Sequence, residues 1–404
     1  NLVYSNSGQT TNNPVITVGG TFNYGSSATT TLANNMTTGN FIFSAGTLDY
    51  SGRTITINGN NGTWTFNGGG SFVNALSTVV FTTGTNQRIT GTTSTSFVNL
   101  VISNPNHVTL SGVDASATTS LTLTNGNLIT GTRFVSVSAG GTVTATSGWV
   151  NGNLKKNIPL GAPTVTFEVG GATTYAPVTL AFTGVTLSNN ATVSTTDGIH
   201  PNINASNIEP NKSVNRYWTI TNNSTAFTSY DATFNYVAGD KDALFDFTTA
   251  QVHRTNGISW FSTTAGTRTA TSTQFTGEPA ANLPNNTAEV FAIGNDIVTT
   301  GIFNSQTGTS LNWNNQQTWI LNRTGNIQFT NGSATVTGTG TSFLTELSNG
   351  DVIMLQTNPV LTQRYTVLSR ATNTSLTLTS NATATNSGGY GKEYVPNAIG
   401  DVVT

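Results

Sequence analysis

Cysteine is absent from all 404 residues, which excludes a disulfide framework, thiolate metal centres and cysteine nucleophiles. Charge is nearly as scarce. Asp, Glu, Lys and Arg together make up 7% of the chain, against roughly 25% in an ordinary globular protein. With 14 basic and 16 acidic residues, the formal net charge is −2. Lys155-Lys156 is the only adjacent basic pair, so nothing could neutralise a run of phosphates, and nucleic acid is excluded as a partner. No apolar stretch approaches the ~20 residues of a membrane-spanning helix, so this segment is expected to insert in no membrane. Helical periodicity is missing almost throughout.

Apolar content is ordinary. Hydrophobic residues are 35%, and the 42 glycines raise the figure to about 45%, enough to build cores and to argue against disorder. The length predicts two or three domains. The chain starts on Asn1 and closes on "GDVVT", which reads as an interrupted strand; both ends are expected to be those of a segment of a longer, processed polypeptide. The composition fits an extracellular protein.

What is present is period-two alternation: "RTITIN" (53–58), "TWTFN" (63–67), "FVNLVIS" (97–103), "SLTLTN" (120–125) and "FVSVS" (134–138). β-branched and aromatic residues at alternate positions suit a pleated, half-buried surface, and Asn-Gly pairs between them suit tight turns. The fold class is all-β. Inward pairs recur at Ile55/Ile57, Val79/Phe81, Leu100/Ile102, Leu121/Leu123 and Val143/Ala145, in steps of 24, 21, 21 and 22 residues. Shorter strands such as Trp64/Phe66 and Val108/Leu110 lie between them. This rhythm predicts a parallel β-helix, or solenoid, over 1–159. Residues 160–297 carry longer strands, more Trp and Tyr and most of the charge, which predicts a β-sandwich. Residues 298–404 read as a small β-barrel-like module followed by the start of a further repeat.

Chemistry finds few footholds. Enzymatic β-helices need clustered carboxylates, yet residues 1–150 offer only Asp49, Arg53, Arg88, Asp114 and Arg133. Asp49 and Arg53 read as a salt pair at a turn, and Asp114 as a turn residue. His107, His200 and His253 lie far apart without a G-x-S-x-G elbow, so structural or exposed roles are expected. "GDKDALFD" places Asp240, Asp242 and Asp246 within seven residues, a partial calcium set. It lacks the glycine and final glutamate of an EF-hand loop; the reading adopted is a polar loop, with calcium as the alternative. Among six tryptophans, Trp260 in "NGISWFS" is the candidate sugar platform, because a turn precedes it. Sequons such as those at Asn35, Asn61, Asn190 and Asn223 arise readily in so Asn- and Thr-rich a chain.

Several stretches carry a resemblance. "SFVNLVIS", "SLTLTNGNLITG", "GWVNGNLKKNI" (148–158), "FEVGGATTYAPVTLAF" (167–182), "VNRYWTITN" (214–222) and "WNNQQTW" (313–319) resemble the wording of the large repeat-built surface proteins of Bacteroidota exported by type IX secretion. The 330–378 segment also resembles small β-modules of phage tail fibres. Both resemblances imply a long, rigid extracellular stalk or adhesin. Its partners would be other modules of the same chain, surface glycans or the secretion machinery.

The Thr-rich wet face has three readings: ice matching, glycan binding, or a neutral hydrated coat that favours β-structure. The uneven strands speak against ice, and the neutral coat is preferred. The expected function is therefore a non-enzymatic structural segment with no catalytic, cofactor-binding or metal residues. The alternatives are a carbohydrate-active β-helix enzyme or glycan-binding module, and a phage fibre.

Overall fold

The aliphatic pairs stack. In the computed structural model, which describes residues 2–4, 16–297, 302–305, 319–356, 363–393 and 402–403, Ile55 pairs with Val79, Val79 with Leu100, Leu100 with Leu121 and Leu121 with Val143. A second column, Ile57–Phe81–Ile102–Leu123–Ala145, follows the same parallel registers. The first four pairs are fully buried, each aliphatic side chain contributing about 1.5–3 kcal/mol. Val143 and Ala145 are only half-buried, because their strand, Thr142–Ala145, pairs only with the coil before it among the described residues. This is a right-angle view of what the repeat wrote: about seven coils of a β-solenoid.

A corner column keeps the coils in step. A Cβ on Gly39 would stand 2.7 Å from the Gly20 carbonyl oxygen, one on Gly59 2.7 Å from that of Gly39, and one on Gly84 2.4 Å from that of Gly59. Asn104 occupies the next level and donates its side-chain amide to the Gly84 carbonyl at 2.9 Å and to Gln87 Oε1 at 2.9 Å. Gly126 and Gly148 continue the column above it. Backbones approach too closely here for side chains, and the one amide that is admitted bonds inward, to neighbouring coils.

A third face is built from two separate parallel ladders, the later one running Thr95–Phe97, Ala115–Ala117, Val135–Val137. Strands Thr29–Thr31, Gly46–Asp49 and Gly70–Val73 form a three-stranded parallel sheet. Inside these coils Phe41 stacks on Trp64 at 4.1 Å, and Phe72 lies 4.5 Å from Phe43. On the next coil Thr95–Phe97 takes this position and pairs onward with Ala115–Ala117, but it forms no ladder with Gly70–Val73 among the described residues.

The strand Val150–Ile158 is the joint between two architectures. One edge pairs in parallel with Leu128–Val137; the other pairs antiparallel with Asn189–Asp197, from Leu154↔Val193 to Ile158↔Asn189. A two-sheet sandwich follows. One sheet holds Thr164–Phe167, Val178–Thr183, Ser229–Asn235, Ser272–Pro279 and Ala265–Thr269. The facing strands include Asn189–Asp197, Ile208–Asn223, Ala288–Asp296 and Gln251–Thr255. Trp218, Phe234, Phe275 and Phe291 fill the space between them. Residues 1–295 form one compact unit and 296–404 a second.

In the second unit, six strands close on themselves. The order is Thr335–Thr339, Ser375–Leu378, Tyr365–Thr372, Val352–Leu355, Asn386–Glu393 and Trp319–Phe329, which pairs back with Thr335–Thr339. Closure removes the free edges that an open sheet of this size would present. Phe343, on a single helical turn, packs edge-on to Tyr390 inside. The stretches 313–318 and 394–401, read as the openings of further modules, lie outside the described residues.

Candidate functional site

The charged candidates of the solenoid do not converge. Asp49 Oδ1 accepts from the Ser51 amide at 3.0 Å, and Arg53 Nε donates to the Leu32 carbonyl at 3.4 Å, so the expected Asp49–Arg53 salt pair is replaced by two separate backbone contacts. Arg88 donates to the Asn86 carbonyl, and Asp114 Oδ1 accepts from the Phe134 amide one coil away at 3.1 Å. Arg133 is exposed, and its carbonyl accepts from Asn153. Arg53, Asp114 and Arg133 tie adjacent coils together, whereas Asp49 and Arg88 bond within their own turns.

The histidines are equally dispersed. His107 adopts a left-handed backbone, φ 69°, and its Nδ1 accepts from the Asn127 amide at 2.9 Å, again bridging coils. His253 is buried on strand Gln251–Thr255. His200 stands edge-on to both Tyr217 and Trp260 at 5.0 Å, and burial lowers its pKa. Trp260 packs partly against Ile203, Ile208 and Ala292 and donates to the Asn202 carbonyl at 3.2 Å. The candidate platform is thus largely an anchor for the 199–206 loop.

The three aspartates of "GDKDALFD" separate. Asp240 receives a two-pronged bond from Arg216, at 3.0 and 3.2 Å, and also accepts from the Val237 amide. Asp242 accepts from the Ser213 amide and hydroxyl and from Asn215. Asp246 accepts from the Thr248 amide and hydroxyl, which hold its carboxyl below the usual range. No group of three His, Cys, Asp or Glu side chains suited to a metal occurs among the described residues. Each carboxylate thus has protein donors of its own, Asp240 and Asp242 at different residues of strand Ile208–Asn223 and Asp246 within its own turn.

Two buried ion clusters escaped the sequence reading. Arg216, 1% exposed, lies between Asp240 and Asp197, the latter at 2.6 Å. Arg254 spans the two sandwich sheets, 3.4 Å from Glu289 and 3.5 Å from Glu278, under the ring of Phe261. Burial raises the pKa of Glu289, partly opposed by Arg254. Burial, with Glu278 adding repulsion, also raises that of Tyr230, whose hydroxyl has no hydrogen-bond partner. Both glutamates are less than a tenth exposed, so no substrate reaches them. A signal was available for Arg216: it sits on the inward phase of "VNRYWTI", between Val214 and Trp218.

A concave feature lies on the solenoid, at the ledge where Gly70–Val73 and Thr95–Phe97 stand without a ladder between them. This groove, of about 330 Å³, is bounded by Phe66 and Phe72 and by Ser71, Asn74, Ser94 and Ser96. None of its lining residues is charged. The lining holds no carboxylate, imidazole or amine of the kind that serves as general acid or base. No helix among the described residues is long and apolar enough to cross a membrane. Compared with known proteins, the chain matches no family model, no curated protein and no solved structure.

Proposed function

We propose that this chain is a non-enzymatic structural segment of a large extracellular cell-surface adhesin or stalk, a modular β-fibre that spaces or presents binding regions. The observation that carries the reading is the strand Val150–Ile158, which joins the solenoid to the sandwich through ladders on both edges. Such a joint transmits load through backbone hydrogen bonds instead of a loose linker. The charged residues act in the same sense: Asp114 ties coil to coil, and Arg254 ties sheet to sheet. A neutral Thr and Asn coat leaves little Coulomb attraction for changing salt to screen. The surface-protein wording of the sequence adds export by type IX secretion to the proposal, with neighbouring modules of the same chain as partners.

Antibodies raised against the segment should label intact cells that make it, and the segment should leave neutral and acidic polysaccharides uncleaved. Labelling only after lysis would overturn the surface location. Cleavage abolished by Asp49→Ala or Asp114→Ala would overturn the non-enzymatic reading in favour of a carbohydrate-active enzyme.

A further inference from the structure

We propose that the ledge groove beside Gly70–Val73 binds a neutral saccharide. This goes beyond the structural role, which stands or falls independently of it.

The groove follows from how the coils are built. Gly70–Val73 pairs with Gly46–Asp49 below it and with no other strand among the described residues. The next coil's Thr95–Phe97 pairs onward with Ala115–Ala117 but not with Gly70–Val73, and Ser94 and Ser96 line the gap left between them. The resulting volume, about 330 Å³, sits at the small end of the ~300–1,000 Å³ typical of ligand pockets.

Its lining chemistry selects the ligand. Half-buried Phe72, backed by the buried ring of Phe66 at 5.1 Å, supplies apolar surface of the kind that packs against the C–H face of a pyranose ring. Ser71, Asn74, Ser94 and Ser96 supply hydroxyls and an amide, which both donate and accept, as sugar hydroxyls do. A uronate or sulfated sugar would bring a charge that no lining residue offsets. An extended peptide finds only a four-residue edge and a rim of small polar side chains.

The site is also held ready. Phe72 is fixed by Phe43 at 4.5 Å and Trp64 at 5.6 Å, so its ring need not be ordered on binding. Asn74 donates to the Tyr50 hydroxyl and to the Ser96 carbonyl, linking the two sides of the groove.

The test is isothermal titration of the full chain with cellohexaose, xylohexaose, mannohexaose and maltohexaose, with oligogalacturonate as the charged control. At least one neutral oligosaccharide should bind with a dissociation constant in the millimolar range or tighter, and the charged control should not. The Ser94→Arg/Ser96→Arg variant, altered at two exposed positions, should keep the parent melting temperature and lose at least about tenfold in affinity. Thr118→Arg, from another coil lining the groove, should do the same and serves if the double variant fails to fold. The proposal is overturned if no neutral probe binds, if both folded variants bind as well as the parent, or if oligogalacturonate or an extended peptide is preferred.

Discussion

Gly126 lies directly over Asn104: a Cβ added to the glycine would stand 1.8 Å from the Asn104 carbonyl oxygen. No side-chain rotation relieves that contact, because both partners are backbone. Gly126→Ala must therefore pry adjacent coils apart, at an expected cost of about 3–5 kcal/mol. Gly131→Ala provides the control. Its φ is also left-handed, at 59°, but it has open space, so only the conformational cost of about 1–2 kcal/mol applies. Urea unfolding of both variants checks the difference; equal losses would mean that the close stack contributes nothing.

Inward and outward neighbours on one rung should differ sharply. Leu121 is fully buried between Leu100 and Val143, and Leu121→Ala should cost about 2–5 kcal/mol. Thr122 faces the other way, and Thr122→Ala should stay within about 0.5 kcal/mol. Thermal melting of the pair is the measurement.

Glu289 makes stability depend on pH with a definite sign. Its folded pKa is raised by burial, so the folded state holds this proton more tightly than the unfolded chain does. Its contribution is full below the unfolded value of about 4.5 and is lost as pH rises through the folded one. Glu289→Gln keeps the shape, leaves Glu278 beside Arg254, and should flatten the fall in stability on going from acid to neutral pH. An unchanged slope in denaturant titrations across that range would contradict the assignment.

Asp240 is expected to act as a counter-ion to Arg216 and not as a calcium ligand. Asp240→Ala leaves a guanidinium that is 1% exposed with the Thr195 hydroxyl and the carboxylate of Asp197 beside it, at a cost of about 3–5 kcal/mol. Chelator or millimolar calcium should leave the parent melting temperature where it is. A calcium-dependent rise that Asp242→Asn removes would favour the metal instead.

Much of the fold was legible because its determinants are local and repeated. Period-two alternation marks the inward face, and the return of each pair after 21–24 residues marks the coil, so Ile55, Val79, Leu100 and Leu121 could be aligned before any coordinates. The Asp49–Arg53 pair was misread because closeness in sequence does not bring two side chains together across a bend; each reaches nearer backbone instead. Arg216 was legible in principle, as a charge on an inward phase. The groove was not, since it arises where Thr95–Phe97 fails to pair with Gly70–Val73 below it, and a missing pairing leaves no mark on the local pattern. Nor did the sequence show that Val150–Ile158 pairs differently on its two edges, which depends on partners about 20 to 40 residues away on either side.

The stacking of coils can be tested directly, because a chain without cysteine accepts engineered pairs without interference. Val80 and Val101 are register partners on adjacent coils, whereas Val80 and Thr122 are two coils apart. Adjacent strands stand ~4.8 Å apart, within disulfide reach, and a second step puts the pair near ~10 Å, beyond it. Mild oxidation should cross-link Val80→Cys/Val101→Cys and leave Val80→Cys/Thr122→Cys reduced. No cross-link in the first pair, or equal cross-linking in both, would contradict the stacked solenoid on which the proposed structural role rests.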